Sequence, residues 1–255
     1  MEETSKIDNT LYEQYGERWY TAFDDPIALL RAENKVKVPW ILEYLEKHHK
    51  DSQTVLDVGC GGGFLSNDLA LAGFKVTGVD LSLESLKIAE IHDRTRSVKY
   101  EQADAFHLPY PDQSFDVVTA MDFLEHVEDP ARVIKEFSRV LKPGGLFFFH
   151  TFNRNFLSWL IIIKLVEWFI KNTPKNMHVI ELFIKPRELR DYCREAGMEI
   201  QELTGLRPIV SSINVEMLKT GVVSPHMRFT LTKNTLLSYL GVAQKLNRPL
   251  DKEGP

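Results

Sequence analysis

A chain of 255 residues, 44% hydrophobic and 26% charged, has the composition of a globular protein and room for one large α/β domain with a sizeable core. Lys plus Arg number 31 against 36 Asp plus Glu, a net charge of −5. That balance excludes a general polyanion binder, so no nucleic-acid partner is expected.

Two cysteines, Cys60 and Cys193, lie far apart with no metal-ligand spacing, which fits a reducing compartment better than a disulfide scaffold. The start of the chain, Met1–Asn9, is acidic and polar, unlike a secretory or basic transit leader. A cytoplasmic protein is the expectation.

Residues 10–50 read as helical. Tyr12, Tyr15, Trp19, Tyr20 and Phe23 form an aromatic stripe, and past Pro39 the residues Ile41, Leu42 and Leu45 recur at helical spacing. The stripe is a core face or a lid over a ligand. The pattern then changes. Thr54–Cys60 reads as a buried strand, broken by Gly61–Gly63; Phe64–Ala72 is helical; Lys75–Leu81 is a second strand and Leu83–Thr95 a second helix. Val98–Ala103, Phe115–Met121 and Leu146–Phe152 are three more strands. Pro130–Leu141 is a helix that Lys142-Pro143-Gly144-Gly145 should end. Arg187–Ala196 follows as a helix, with strand-like Glu199–Leu206 and Leu236–Ala243. Apolar strands alternating with helices predict an α/β fold, a mostly parallel sheet covered on both faces. The organisation expected is a helical cap at 1–50, one domain at 51–246 carrying an apolar helical insertion at about 154–178, and a solvated tail at 247–255.

In such a sheet, ligands bind beyond the carboxyl ends of the strands where the strand order switches. The first strand ends in Asp57-Val58-Gly59-Cys60-Gly61-Gly62-Gly63 and the second in Asp80. Glycines let the backbone turn sharply and a ligand lie close; an acid after the second strand accepts hydrogen bonds from ribose hydroxyls. A nicotinamide fingerprint would need a third glycine at position 64, which is Phe64. The pattern therefore favours S-adenosylmethionine, with Gly59 and Gly61 under it, Asp57 toward its amino-acid end and Asp80 on the ribose. Asp104 and Ala105 are placed to meet the adenine, and Met121 to pack on the adenosine or methionine part.

The succession VLDVGCGGG, VTGVD, Leu124-Glu125-His126-Val127, LKPGG, Thr151-Phe152-Asn153-Arg154 and Phe183–Leu189 resembles the ubiquinone-biosynthesis O-methyltransferases, from about residue 54 to 206, with an echo at Val242–Lys245. Asn153-Arg154 with Thr173-Pro174-Lys175 and a following His178 is the more specific part. The resemblance implies the class I methyltransferase (Rossmann-like) fold and O-methylation of a polyprenylated catechol or related phenol. The chain departs from the family pattern at Asp122, where Glu is usual, at Asn176-Met177 before His178, and at Arg207-Pro208-Ile209. Lys37 matches an arginine that the family uses near the cofactor carboxylate; lysine keeps the charge but not the bidentate fork.

Methyl transfer is an in-line displacement, and a phenol with a pKa near 10 must lose its proton on the way. Asp122, Glu125 and His126 are spaced i, i+3, i+4, so one helical turn would put them on one face. Two carboxylates and an imidazole suit a divalent cation such as Mg2+ that would acidify the acceptor, and the resemblance implies the same set as a metal site. The alternatives are His126 as a general base without a metal, or a capping and hydrogen-bond cluster.

Phe156–Ile170 is too short and too charged to span a membrane. As a helix it would carry Lys164, Glu167 and Lys171 in one stripe, bordered by Trp159 and Trp168. It is either buried against the sheet or lies in a membrane interface as a peripheral contact. The function expected is transfer of a methyl group to a phenolic or lipidic hydroxyl. The rivals are a class I methyltransferase with another small acceptor, and a protein that binds the cofactor without catalysing transfer.

Overall fold

The computed structural model describes residues 9–49, 53–175 and 177–247; the predicted tail therefore lies, beyond Asn247, outside the described residues. After a 3-10 turn at Asn9–Gln14 come α1 (Arg18–Thr21) and the long α2 (Ile27–His48). Alternation then sets in: β1 (Thr54–Val58), α3 (Phe64–Leu71), β2 (Lys75–Asp80), α4 (Leu83–His92), β3 (Lys99–Gln102), β4 (Phe115–Met121), α5 (Pro130–Val140) and β5 (Leu141–Phe152). The second half holds α6 (Phe156–Ser158), α7 (Val166–Phe169), α8 (Pro186–Glu195), β6 (Met198–Pro208), α9 (Val215–Thr220), β7 (Phe229–Thr232) and β8 (Ser238–Lys245).

The strands form one sheet in the order β3-β2-β1-β4-β5-β8-β6-β7. β1 to β5 pair in parallel, while β8 runs antiparallel to both β5 and β6, and β7 antiparallel to β6. Side chains alternate between two cores, as a sheet buried on both faces requires. Val118, Phe147 and Phe149 enter one core with Phe137 of α5 and Leu189 of α8. Val117, Leu146 and Phe148 enter the other with Ile41 of α2 and Leu69 of α3. The chain winds outward from β1 through β2 to β3 and then crosses to β4 on the other side of β1. That reversal opens a crevice at the carboxyl ends of β1 and β4.

Local signals place the helix starts. The Ser82 side chain accepts the Ser85 N–H at the head of α4, and Asp129 accepts the Arg132 N–H at the head of α5, with Pro130 in its first turn.

Three expectations need correction. The strand expected at Leu146–Phe152 starts earlier: α5 ends at Val140, ahead of Lys142–Gly145, and Leu141 enters β5 directly. A register shift absorbs the irregular stretch, the partner of Phe115 being Leu141 and that of Val117 being Leu146. Leu236 lies outside β8, which begins at Ser238. The apolar segment is not one α-helix: a π-helical run at Trp159–Leu165 joins α6 to α7, and Ile170 is already extended. β7 and α9 had no counterpart in the sequence reading.

Candidate active site

A cavity of about 490 Å³ sits at the switch point, walled by the ends of β1, β2 and β4, the loop after β3 and the N-terminal segment. The glycine loop forms its floor. Gly59 and Gly61 have φ of +69° and +50°, a region that L side chains rarely adopt. A Cβ on Gly61 would stand 2.7 Å from the Trp19 ring, and one on Gly59 2.4 Å from Phe123. Both close approaches need a bare backbone. Trp19 thus lies on the loop, with Tyr12 stacked on it at 6.0 Å. The aromatic stripe serves both uses left open above: Tyr15 and Trp19 pack with Ile27 and Ile88 in a small core, while Tyr12 and Trp19 roof the cavity.

Asp80, at the end of β2, accepts the Gly61 N–H at 2.9 Å and the Ser82 N–H at 2.9 Å. It braces the loop and still faces the cavity. Burial raises its pKa against those two N–H bonds. Asp57 lies deeper. Thr119 Oγ1 donates to one of its oxygens at 2.6 Å and Ser66 Oγ to the other at 2.7 Å. Burial pushes this carboxyl up to about 6 in spite of those bonds. Asp104, Ala105 and Met121 line the wall, Asp104 accepting the Phe106 N–H at 2.9 Å. Seven of the eight residues assigned to the cofactor from sequence therefore line one cavity: Asp57, Gly59, Gly61, Asp80, Asp104, Ala105 and Met121.

Lys37 is the exception. It does not line the cavity but is fully buried behind it. Its ammonium donates to Glu33 Oε2 at 2.5 Å and to both oxygens of Asp122 at 2.9 and 2.6 Å. Burial works against the charge, but Asp122 and Glu33 more than offset it and raise the Lys37 pKa.

The three acceptor-side residues do not share a helical face. Asp122 closes β4 with φ +55°, its N–H donating to His150 O at 3.1 Å. Only Leu124–His126 form a turn, and it is 3-10. Two clusters result among the described residues. Asp122 joins Glu33 and His150, whereas Glu125 and His126 join His178. The predicted Asp122–Glu125–His126 cation set is thus split, and both oxygens of Asp122 are already held by Lys37. His150 Nδ1–H also donates to Asp122 Oδ1 at 2.5 Å. Burial opposes ionisation of Asp122, yet Lys37 and His150 hold it well below the usual carboxylate range.

Glu125 is buried, with Thr151 Oγ1 donating to Oε2 at 2.8 Å and Oε1 without a hydrogen-bond partner among the described residues. Burial and the charge of Asp122 raise its pKa. His126 faces the cavity. Its ring is 5.3 Å from that of His178, and its Nε2 lies 3.4 Å from the Tyr12 hydroxyl. Burial lowers the pKa of His126 to about 4 and that of His178 to about 3, so both imidazoles are neutral near pH 7. His178 stood in the sequence only as part of a motif, and His150 only as one polar residue in the apolar run LFFFHTF. Neither carried a spacing that would have marked it.

A family model described as "Methyltransferase domain" matches residues 56–149. A ubiquinone biosynthesis O-methyltransferase from Thiobacillus denitrificans is 47% identical over 156 residues, 60% of this chain and 67% of that protein. One from Pseudomonas putida is 37% identical over 210 residues, 81% of this chain and 88% of that protein. Among solved structures, magnesium protoporphyrin IX methyltransferase from Synechocystis, with bound SAH, aligns with a TM-score of 0.63 at 18% identity, covering 93% of this chain and 100% of that one. A SAM-dependent methyltransferase from Methanosarcina mazei aligns with a TM-score of 0.58 at 24% identity over 82% and 98%. At these identities the structural matches speak for the fold alone.

Proposed function

The chain belongs to the ubiquinone biosynthesis O-methyltransferase family, and from that premise we propose how its cavity carries out the reaction. It is an S-adenosylmethionine-dependent O-methyltransferase acting in ubiquinone biosynthesis. In our reading the cofactor lies on the loop at Gly59 and Gly61, its ribose hydroxyls on Asp80, its adenine between Asp104 and Ala105, and its sulfonium end toward Met121 and Asp57. The observation that carries this reading is the convergence of seven separately predicted positions on one cavity.

The acceptor is a phenol or catechol whose hydroxyl enters from the side of His126. Its oxygen forms the new bond to the methyl carbon as the carbon–sulfur bond breaks, and the electron pair of that bond returns to sulfur. His126 takes the phenolic proton. A base of low pKa is a poor match for a phenol, and the negative charge of Asp122 beside it favours the imidazolium as it forms. Glu125 and His178 back this imidazole. No step in the proposal runs through a metal ion.

The second part of the proposal concerns where the acceptor is met. Among the described residues no helix is long and apolar enough to cross a membrane. Ile163 and Ile170 of the insertion are buried, yet Phe156 is 73% and Trp168 64% exposed. α7 packs against α9, whose Val215 and Leu218 are exposed as well. We assign this face to peripheral contact with a lipid surface, from which a polyprenylated acceptor would be drawn.

The catalytic assignment is tested by separating binding from turnover. In His126→Ala, turnover should fall by roughly 100-fold or more, the usual worth of a general base, with adenosylmethionine affinity nearly unchanged. Equal turnover in His126→Ala and wild type would remove His126 from the mechanism.

A further inference from the structure

Lys37, Asp122 and His150 come from α2, the end of β4 and β5, and meet at the cavity wall, which Asp122 itself lines. Lys37 and His150 side chains are completely buried, and that of Asp122 is 14% exposed. Lys37 and Asp122 are in direct contact here. His150 reaches the same carboxylate from the neighbouring strand.

The arrangement occupies the carboxylate. Oδ2 accepts from Lys37 at 2.6 Å; Oδ1 accepts from Lys37 at 2.9 Å and from His150 at 2.5 Å. A hard divalent ion binds oxygen ligands whose lone pairs are available, and it meets repulsion from any cation already seated there. Pulling Lys37 away would strand a buried ammonium with Glu33 alone, and breaking one partner from a buried ionic cluster is strongly unfavourable.

We propose that Lys37 is the resident cation of this active site: its ammonium holds both oxygens of Asp122 in place of a divalent ion, and the chain deprotonates its acceptor without recruiting one. Asp122 is then a positioning residue. Its left-handed backbone and its three side-chain bonds fix the entry to the turn that presents Glu125 and His126, and they tie α2 to the acceptor side of the cavity. This inference rests on the O-methyltransferase reading for its chemistry, but its main test does not.

Full-length protein is titrated calorimetrically with Mg2+ and, separately, with Mn2+, the latter also followed by the loss of its free-ion paramagnetic resonance signal. The wild type should bind neither ion stoichiometrically, and its turnover should be unchanged by a chelator. Lys37→Met uncovers Asp122, so a Mn2+ site should appear in that variant and vanish again in Lys37→Met with Asp122→Asn. Stoichiometric binding of either ion by the wild type would overturn the proposal, as would turnover that is lost on chelation and restored by the ion. The wild-type titration needs no variant to fold. A protein that bound no ion and transferred no methyl group would contradict the functional reading while leaving the resident cation intact.

Discussion

Asp80 shows how one side chain serves both fold and ligand. It holds the Gly61 N–H and the Ser82 N–H while facing the cavity. Asp80→Ala should weaken adenosylmethionine binding by about 1–3 kcal/mol, the cost of leaving buried polar groups unpaired. Calorimetry on a folded variant that binds as tightly as wild type would refute the ribose assignment. Glu125 makes a prediction about pH. Its folded pKa is raised above the unfolded value by burial and by Asp122. The folded state therefore holds a proton that the unfolded chain releases, so this contribution to stability is complete below the unfolded pKa, near 4.3. It is lost as pH rises through the folded pKa. His126 and His178, with lowered pKa values, act in the opposite sense: their contribution is present above about 6.5 and lost as pH falls. Comparing wild type with Glu125→Gln, which mimics the protonated acid, isolates the first term. The melting temperature of the variant relative to wild type should climb between pH 5 and 9, and a constant difference would contradict the assignment. Residues such as Asp80 and Gly59 were legible in the sequence because strand-end position alone specifies their job. The pairing of Lys37 with Asp122 was not, because it spans 85 positions of sequence and no local pattern records that.

The same contrast holds for whole elements. β1, β2, β4 and β5 were readable as continuous apolar runs, since strands buried on both faces admit little else. β7 is four residues, all half-buried, and α9 is six residues with Met217 its one buried side chain, too short and too mixed to show a period. The insertion was readable as apolar, but its π-helical run rotates the side chains after Trp159 away from simple α-helical spacing. The predicted stripe is accordingly reduced to a Lys164–Glu167 ion pair at 2.7 Å, while the Lys171 N–H donates to Gly221 O at 2.9 Å. The geometry sharpens the lipid experiment. Phe156→Asp and Trp168→Asp, on exposed side chains, should reduce co-sedimentation with anionic vesicles and shift stability by no more than about 0.5 kcal/mol. Ile163→Asp, at a buried one packed on Phe152 and Phe183, should instead destabilise the fold by several-fold more, since it buries an unpaired charge. Added salt should weaken vesicle binding wherever basic residues contribute. A wild-type protein that ignores vesicles of any composition would retire the lipid-facing proposal without touching the cofactor site.

Across the whole molecule, three regions far apart in sequence meet at or behind one cavity. The sheet supplies the cofactor floor, the N-terminal segment supplies the roof through Tyr12 and Trp19, and the stretch after β5 supplies His178 beside His126. The α/β alternation, the switch point and most of the cofactor positions could be read from sequence, because they depend on strand periodicity and on glycines at strand ends. On the acceptor side Asp122, Glu125 and His126 could be named but not arranged, because a 3-10 turn, a loop histidine and a buried ionic cluster are brought together only by tertiary packing. That side decides how the acceptor loses its proton. The most direct test mixes the purified protein with S-adenosylmethionine and a panel of hydroxylated phenols, including catechols with and without a long alkyl tail, and follows products by mass spectrometry. The account predicts an O-methylated catechol formed together with an equal amount of S-adenosylhomocysteine, and a large loss of both in His126→Ala. A folded protein that binds S-adenosylmethionine at the cavity yet methylates no hydroxyl in the panel would contradict it.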